Sequence, residues 1–302
     1  MSEPLSPNGP TIELLEIDAA VDLSAEDVRA RALETIERGS VVYLRNRGFE
    51  LTAREREIIA DPAVVLPGRK ERESRTGRPT LIFDPASNKI ERTRIRAPER
   101  QELEAMMARY AQWAQDLVNT LLPHYGPALE RERITFRPCE RSVPQGIHVD
   151  SSYRHPTQGR CTLRVFCNVN PADRPRLWHV GEPFEPFVKR FLPSVRRRNP
   201  RAAWLIERLG ITHGRRTPYD CMVEDIRKLV KDDADYQKNA PRKLVEFPRG
   251  STWLAITDMV LHAAVSGQHS LDQTFFLPFT GMRDPSRSPL RILERLSGES
   301  LG

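Results

Sequence analysis

Apolar residues recur at every fourth position at Val28, Ala32 and Ile36, with Glu26 and Asp27 just ahead of them. That spacing predicts a helix with Ser24 as its N-cap, acids in the first turn and a stop at Gly39. Residues 40–44 (SVVYL) are β-branched and aromatic, and read as a strand. Residues 99–122 contain neither Pro nor Gly and are rich in Ala, Gln, Glu and Met. They predict a long helix, with Pro123 just beyond its end.

The second half changes rhythm. Short strand candidates fall at 134–136, 147–150, 161–169, 244–247, 252–256, 260–264 and 273–277, separated by Pro and Gly. Repeated short strands with turn signals predict a sandwich or barrel of jelly-roll type. The stretch 185–231 interrupts them with helical, Arg-rich sequence and reads as an insertion. The expected organisation is therefore mainly β with α flanks. Residues 1–11 form a flexible arm and 12–284 one catalytic domain, with a helical flank over 12–130. Residues 285–302 form a C-terminal tail.

Composition narrows the class. A hydrophobic fraction of 39% and a mean hydropathy of −0.53 describe a globular, soluble chain. No run approaches the ~18 apolar residues that a spanning helix needs. The first ten residues lack the basic and apolar regions of a secretory signal. Cys139, Cys161, Cys167 and Cys221 form no C-x-x-C pair, so free thiols in a reducing compartment are expected and a structural zinc site is not. The net charge of +6 is unevenly placed. From Lys189 to Arg216 nine Lys/Arg face one acid, Glu207, a run able to rest on any polyanion or simply on water.

The chemistry concentrates at His148-Val149-Asp150. On a strand, positions i and i+2 share a face, so one imidazole and one carboxylate would project together. A second His from a distant strand would complete two His and one carboxylate with open positions, the arrangement of non-haem ferrous oxygenases. Of the seven histidines, His262 is the best third ligand. It sits in an apolar strand-turn-strand pattern and is followed by small residues, Ala263 and Ala264. His269 follows a turn at Gly267, and His155 precedes Pro156 in a loop. Arg164 lies in an otherwise apolar strand and needs an anionic partner. That partner is either a protein carboxylate or the far carboxylate of a bound dicarboxylic acid, which the planar guanidinium matches bidentately.

With these pieces together the chain resembles the Kdo hydroxylase family of Fe(II)- and 2-oxoglutarate-dependent oxygenases. The resemblance is carried by GIHVDSSYRHPTQGRCTLRVFCNVNP (146–171), RLWHVGEPFE (176–185) and GSTWLAITDMVLHAAVSGQHSLDQTFFLPF (250–279). ERGSVVYLRNRGFELTAREREII (37–59) is similar too. The resemblance implies a double-stranded β-helix with His148, Asp150 and His262 on Fe(II), and 2-oxoglutarate and O2 as cosubstrates. It implies hydroxylation at C3 of 3-deoxy-D-manno-oct-2-ulosonic acid (Kdo) in Kdo-lipid A. Many oxygenases of the superfamily carry a cosubstrate-binding Arg about ten residues beyond the distal His, but residues 270–274 contain no Arg or Lys. Arg164 fits the alternative placement on a strand after H-x-D.

By position, Asn168, Gln145 and Gln273 are further candidates for the cosubstrate. Arg160, Arg154, Ser152, Tyr153, His155 and Trp178 are candidates for the sugar acid. No protein acid or base is needed beyond the metal centre. The expected setting is cytoplasmic, with contact to the anionic inner face of the membrane through the basic run. Nucleic acid is not the expected partner. Two alternatives remain at this level: an oxygenase or demethylase acting on nucleic acid, and a non-catalytic polyanion-binding jelly roll. Hydrolytic zinc chemistry is disfavoured, because no acid other than Asp150 sits near the H-x-D strand.

Overall fold

The computed structural model describes residues 12–61, 80–91, 95–140, 146–151, 155–195 and 216–302. Strands β1 (Leu15–Ile17) and β2 (Val42–Leu44) flank helix α1 (Glu26–Glu37), and α2 (Ala53–Ala60) follows. A hairpin, β3 (Leu81–Asp84) and β4 (Lys89–Glu91), precedes the long helix α3 (Glu99–Leu121). Then come β5 (Glu130–Arg137), β6 (Cys161–Asn168) and β7 (Arg176–Pro183), followed by α4 (Phe184–Phe191), α5 (Pro218–Asp232) and α6 (Ala234–Asn239). Strands β8 (Arg242–Phe247), β9 (Thr252–Ile256), β10 (Val260–Ser266) and β11 (Ser270–Leu277) lead to α7 (Pro289–Ser297).

The strands form two sheets, one of eight in the order β1-β2-β9-β6-β11-β5-β3-β4 and one of three, β10-β7-β8. Alternation along β6 explains how they stack. Leu163 and Val165 point to one side and pack with Val118 and Leu121 of α3 and Ile36 of α1. Phe166 points the other way and joins Trp253 and Tyr43 of the large sheet with Trp178, Val180 and Val245 of the small one. The small sheet's outer side is covered by α4, α5 and α7 through Phe187, Val223 and Leu293. The result is a two-sheet jelly roll with helices on both outer faces.

Local chemistry accounts for most boundaries. The long helix ends at Leu121, one residue before the predicted limit. Helix α5 opens with a capping box between Thr217 and Asp220, with Pro218 at its first position. The same Asp220 carboxylate accepts the backbone N–H groups of Thr157 and Gln158, tying the loop after the H-x-D triplet to α5.

Three expectations are corrected, and one central strand was not expected. Ser24 does not cap α1: the N-cap is Ala25, and the Ser24 hydroxyl is bonded to Asp22. Residues 147–150 form no strand but a single antiparallel bridge, His148 to His262. Strand β7 lacks a simple period-2 signal and was not predicted. The segment 285–302, set apart as a tail, carries α7, which starts at Pro289 and closes at Gly298 in the left-handed region (φ +71°). The arm 1–11 and residues 196–215 of the basic run lie outside the described residues.

Candidate metal centre

Backbone pairing brings the triad together. His148 N–H donates to His262 O at 3.0 Å, and His262 N–H returns the bond to His148 O at 2.8 Å. Asp150 N–H donates to Thr257 O at 2.9 Å, and Thr257 N–H donates to Thr162 O at 2.9 Å. The H-x-D segment is thereby fastened to both ends of the β9–β10 corner.

The side chains are poised the same way. Nδ1 of His148 lies 2.9 Å from Gly146 O, and Nδ1 of His262 lies 3.1 Å from Val260 O. Each Nδ1 lies at hydrogen-bond distance from a backbone carbonyl, which turns the Nε2 of its ring toward Asp150. The two Nε2 atoms stand 3.7 and 3.9 Å from the same Asp150 oxygen. One ligand atom from each of the three residues lies within 4.8 Å of the others, and this is the only such group of His, Cys, Asp and Glu among the described residues. Burial pushes His262 down to about 4, so its imidazole is neutral at ordinary pH. Burial alone would raise Asp150, but Arg164 and the two histidines outweigh it and hold the carboxyl well below its usual range. Two imidazole nitrogens and one carboxylate oxygen suit a divalent iron ion.

Arg164 links this centre to a second acid. Its Nε lies 3.4 Å from Asp150 Oδ2, and one terminal nitrogen lies 3.7 Å from Asp272 Oδ1. Asp272 is fully buried and is also paired with Arg137. Of the two partner types expected for Arg164, protein carboxylates are thus present on both sides. Arg137 and Asp272 were missed from sequence; the signal was a lone acid in the apolar strand that faces Arg164. Asp258, at the β9–β10 corner, gives one oxygen to Thr162 N–H at 3.0 Å, and burial pushes it up to about 7.

The remaining candidates separate. Gln145, Ser152, Tyr153 and Arg154 lie outside the described residues. His155 is exposed. Arg160 bonds Glu130 and Thr157 O, with its guanidinium 4.3 Å over the Phe276 ring. Asn168 is committed to backbone: its Nδ2 donates to Arg174 O and Phe247 O, and its Oδ1 accepts from Asn170 N–H. Gln273 is corrected by register. It pairs with Val165, whose side chain packs among the helices, so Gln273 points away from the face that carries Arg164. Trp178 is also corrected: it is 3% exposed and stacked on His262 at 5.2 Å, beyond reach of a sugar in solvent. His269 stands apart, with Nε2 bonded to Ile59 O.

A jelly roll that folds two histidines and an aspartate onto one point between its sheets is the framework of the non-haem Fe(II), 2-oxoglutarate-dependent dioxygenases, and this protein is one of them. Within that class it belongs to the 3-deoxy-D-manno-oct-2-ulosonic acid (Kdo) hydroxylase family, which it matches over residues 20–300. The crystal structure of the Kdo hydroxylase KdoO with succinate and Fe(III) is similar at a TM-score of 0.86 and 33% identity, covering 95% of this chain and 97% of that one. KdoO with alphaketoglutarate and Fe(III) gives 0.85 and 34%, with the same coverage. The comparison with curated proteins gives no match. Family membership implies a Kdo-containing substrate. No helix among the described residues is long and apolar enough to cross a membrane.

Proposed function

We propose that the protein hydroxylates C3 of Kdo in Kdo-lipid A, with His148, Asp150 and His262 holding Fe(II) and Arg164 holding 2-oxoglutarate. The observation that carries this reading is the pair of Nε2 atoms flanking one Asp150 oxygen, with both Nδ1 protons tied to backbone. When bound, iron and 2-oxoglutarate supply the oxygen-activating chemistry that inserts a hydroxyl at carbon.

The chain's own residues supply the frame. The two Nδ1–H bonds fix the tautomer and aim the rings. Asp150 remains anionic because Arg164 faces its second oxygen. Arg164 lies on β6 two residues beyond Thr162, where it would hold the far carboxylate of the cosubstrate in exchange for its 3.7 Å contact with Asp272. Phe166 and Trp178 close the space behind the triad and exclude water. The substrate is an anionic glycolipid, so a cytoplasmic protein touching the membrane's inner face through the basic run around Lys189 and Arg190 fits this reading.

The test is incubation with iron, ascorbate, 2-oxoglutarate and Kdo-lipid A, followed by mass spectrometry. A gain of one oxygen on the Kdo unit is expected. Succinate formation without that gain would remove the substrate assignment and leave the enzyme class standing.

A further inference from the structure

A hydrogen bond at Nδ1 fixes one point of the His262 ring but leaves the tilt of its plane open, because histidine χ2 is a broad, two-fold torsion. The ring plane decides where the Nε2 lone pair points. Two rings touch it. His148 stands 4.7 Å away at an interplanar angle of 43°, and Trp178 lies flat against it at 5.2 Å and 18°. Register explains the contact. Val180 of β7 is opposite His262 and Trp178 opposite Ala264, so Trp178 is the diagonal neighbour on the same face. Ala264, directly across, leaves room for the indole to lean over the histidine.

Trp178 is itself clamped. Phe166 meets it edge-on at 4.7 Å and 72°, and Trp253 at 5.4 Å and 79°. Its Nε1 is buried with no hydrogen-bond partner, so packing alone sets the indole plane. β7 is the central strand of the small sheet, flanked by β10 and β8, which leaves it little freedom to shift.

We propose that Trp178 is a positioning residue for the metal site: its indole face sets the plane of the His262 imidazole and so the aim of the distal nitrogen ligand. The proposal rests on His262 being a ligand, which His262→Ala tests separately through loss of cobalt(II) binding. Trp253 provides the contrast. It is buried in the same aromatic cluster and touches Trp178, with no ring contact to either histidine among the described residues.

The experiment compares cobalt(II) titrations of the full-length parent, Trp178→Leu, Trp178→Phe and Trp253→Leu, following affinity and the d–d absorption band at a temperature where each is folded. Trp178→Leu is expected to bind cobalt about 10-fold more weakly, at the lower edge of what outer-shell partners of metal ligands contribute. Its band should shift, and Trp178→Phe, which keeps a flat face, should restore most of both. Trp253→Leu should melt earlier yet keep the parent affinity and band. Parental affinity and band in Trp178→Leu, or an equal loss in Trp253→Leu, would overturn the proposal. If Trp178→Leu does not fold, Trp178→Phe decides it: it keeps a stacking ring, and a loss of affinity of about 10-fold there would sink the idea.

Discussion

The space between the two sheets has two ends that obey different rules. At one end Phe247 stacks on Trp253 at 4.1 Å and 8°, Phe166 stacks on its other flank at 5.3 Å and 10°, and Tyr43 closes the group. These rings contribute to stability through burial and offset contact. At the other end His148, Asp150, His262, Arg164 and Asp272 crowd together, and one oxygen of Asp150 lacks a hydrogen-bond partner. A buried polar atom without a partner is costly. The aromatic end therefore holds the frame, while the charged end leaves valence free for what the frame was built to receive. Trp178 joins the two, its edges in the first and its face on the second.

Mutations should separate the ends. The largest effect is expected from His262→Ala. Cobalt(II) affinity should fall by more than about 100-fold, beyond the range of outer-shell changes, and turnover should vanish with it. Near-ultraviolet circular dichroism should still report the packed fold. At the opposite end Trp253→Ala should lower unfolding stability by about 3–5 kcal/mol in urea titration, with the folded fraction still binding metal. Loss of metal binding there in fully folded protein would erase the distinction between the ends. Arg164→Met should raise the 2-oxoglutarate KM about 10- to 100-fold, the effect of losing a charged hydrogen bond of about 1.5–3 kcal/mol. Arg164→Lys should recover only part, since an ammonium cannot offer the paired fork. Succinate release against cosubstrate concentration measures both.

A last test concerns pH. Burial lifts Asp258 to about 7 from an ordinary 3.8, so the folded protein keeps a proton that the unfolded chain has lost between those values. Stability from this group is full below the lower value and drains away as pH rises toward the upper one. Asp258→Asn should flatten that decline. The melting temperatures of metal-free parent and variant at pH 5 and pH 8 test it, and parallel slopes would refute it.

What could be read from the chain followed local rules. The H-x-D triplet, the Pro- and Gly-free run that became α3, and the odd cation in an apolar strand were each visible from a few neighbouring residues. What escaped depended on register. Whether Gln273 faces the helices or the other sheet is decided by its pairing with Val165. The Arg137–Asp272–Arg164 sequence of charges arises only when β5, β11 and β6 lie side by side. Trp178 reads as a candidate for the sugar acid because nothing in RLWHVGEP announces a strand buried between two others. Ser24 failed as a cap because Asp22 competes for its hydroxyl.

The reciprocal backbone hydrogen bonds between His148 and His262 join residues more than a hundred positions apart in the chain. In the unfolded polymer those two imidazoles have no reason to meet, so the ion has almost nothing to bind until the last long loop has shut. An ion seated there then acts as a buckle across that loop and draws the equilibrium toward the closed chain by mass action. A chelator should accordingly loosen the whole barrel as well as silence it, so that thermal melting becomes a gauge of iron occupancy.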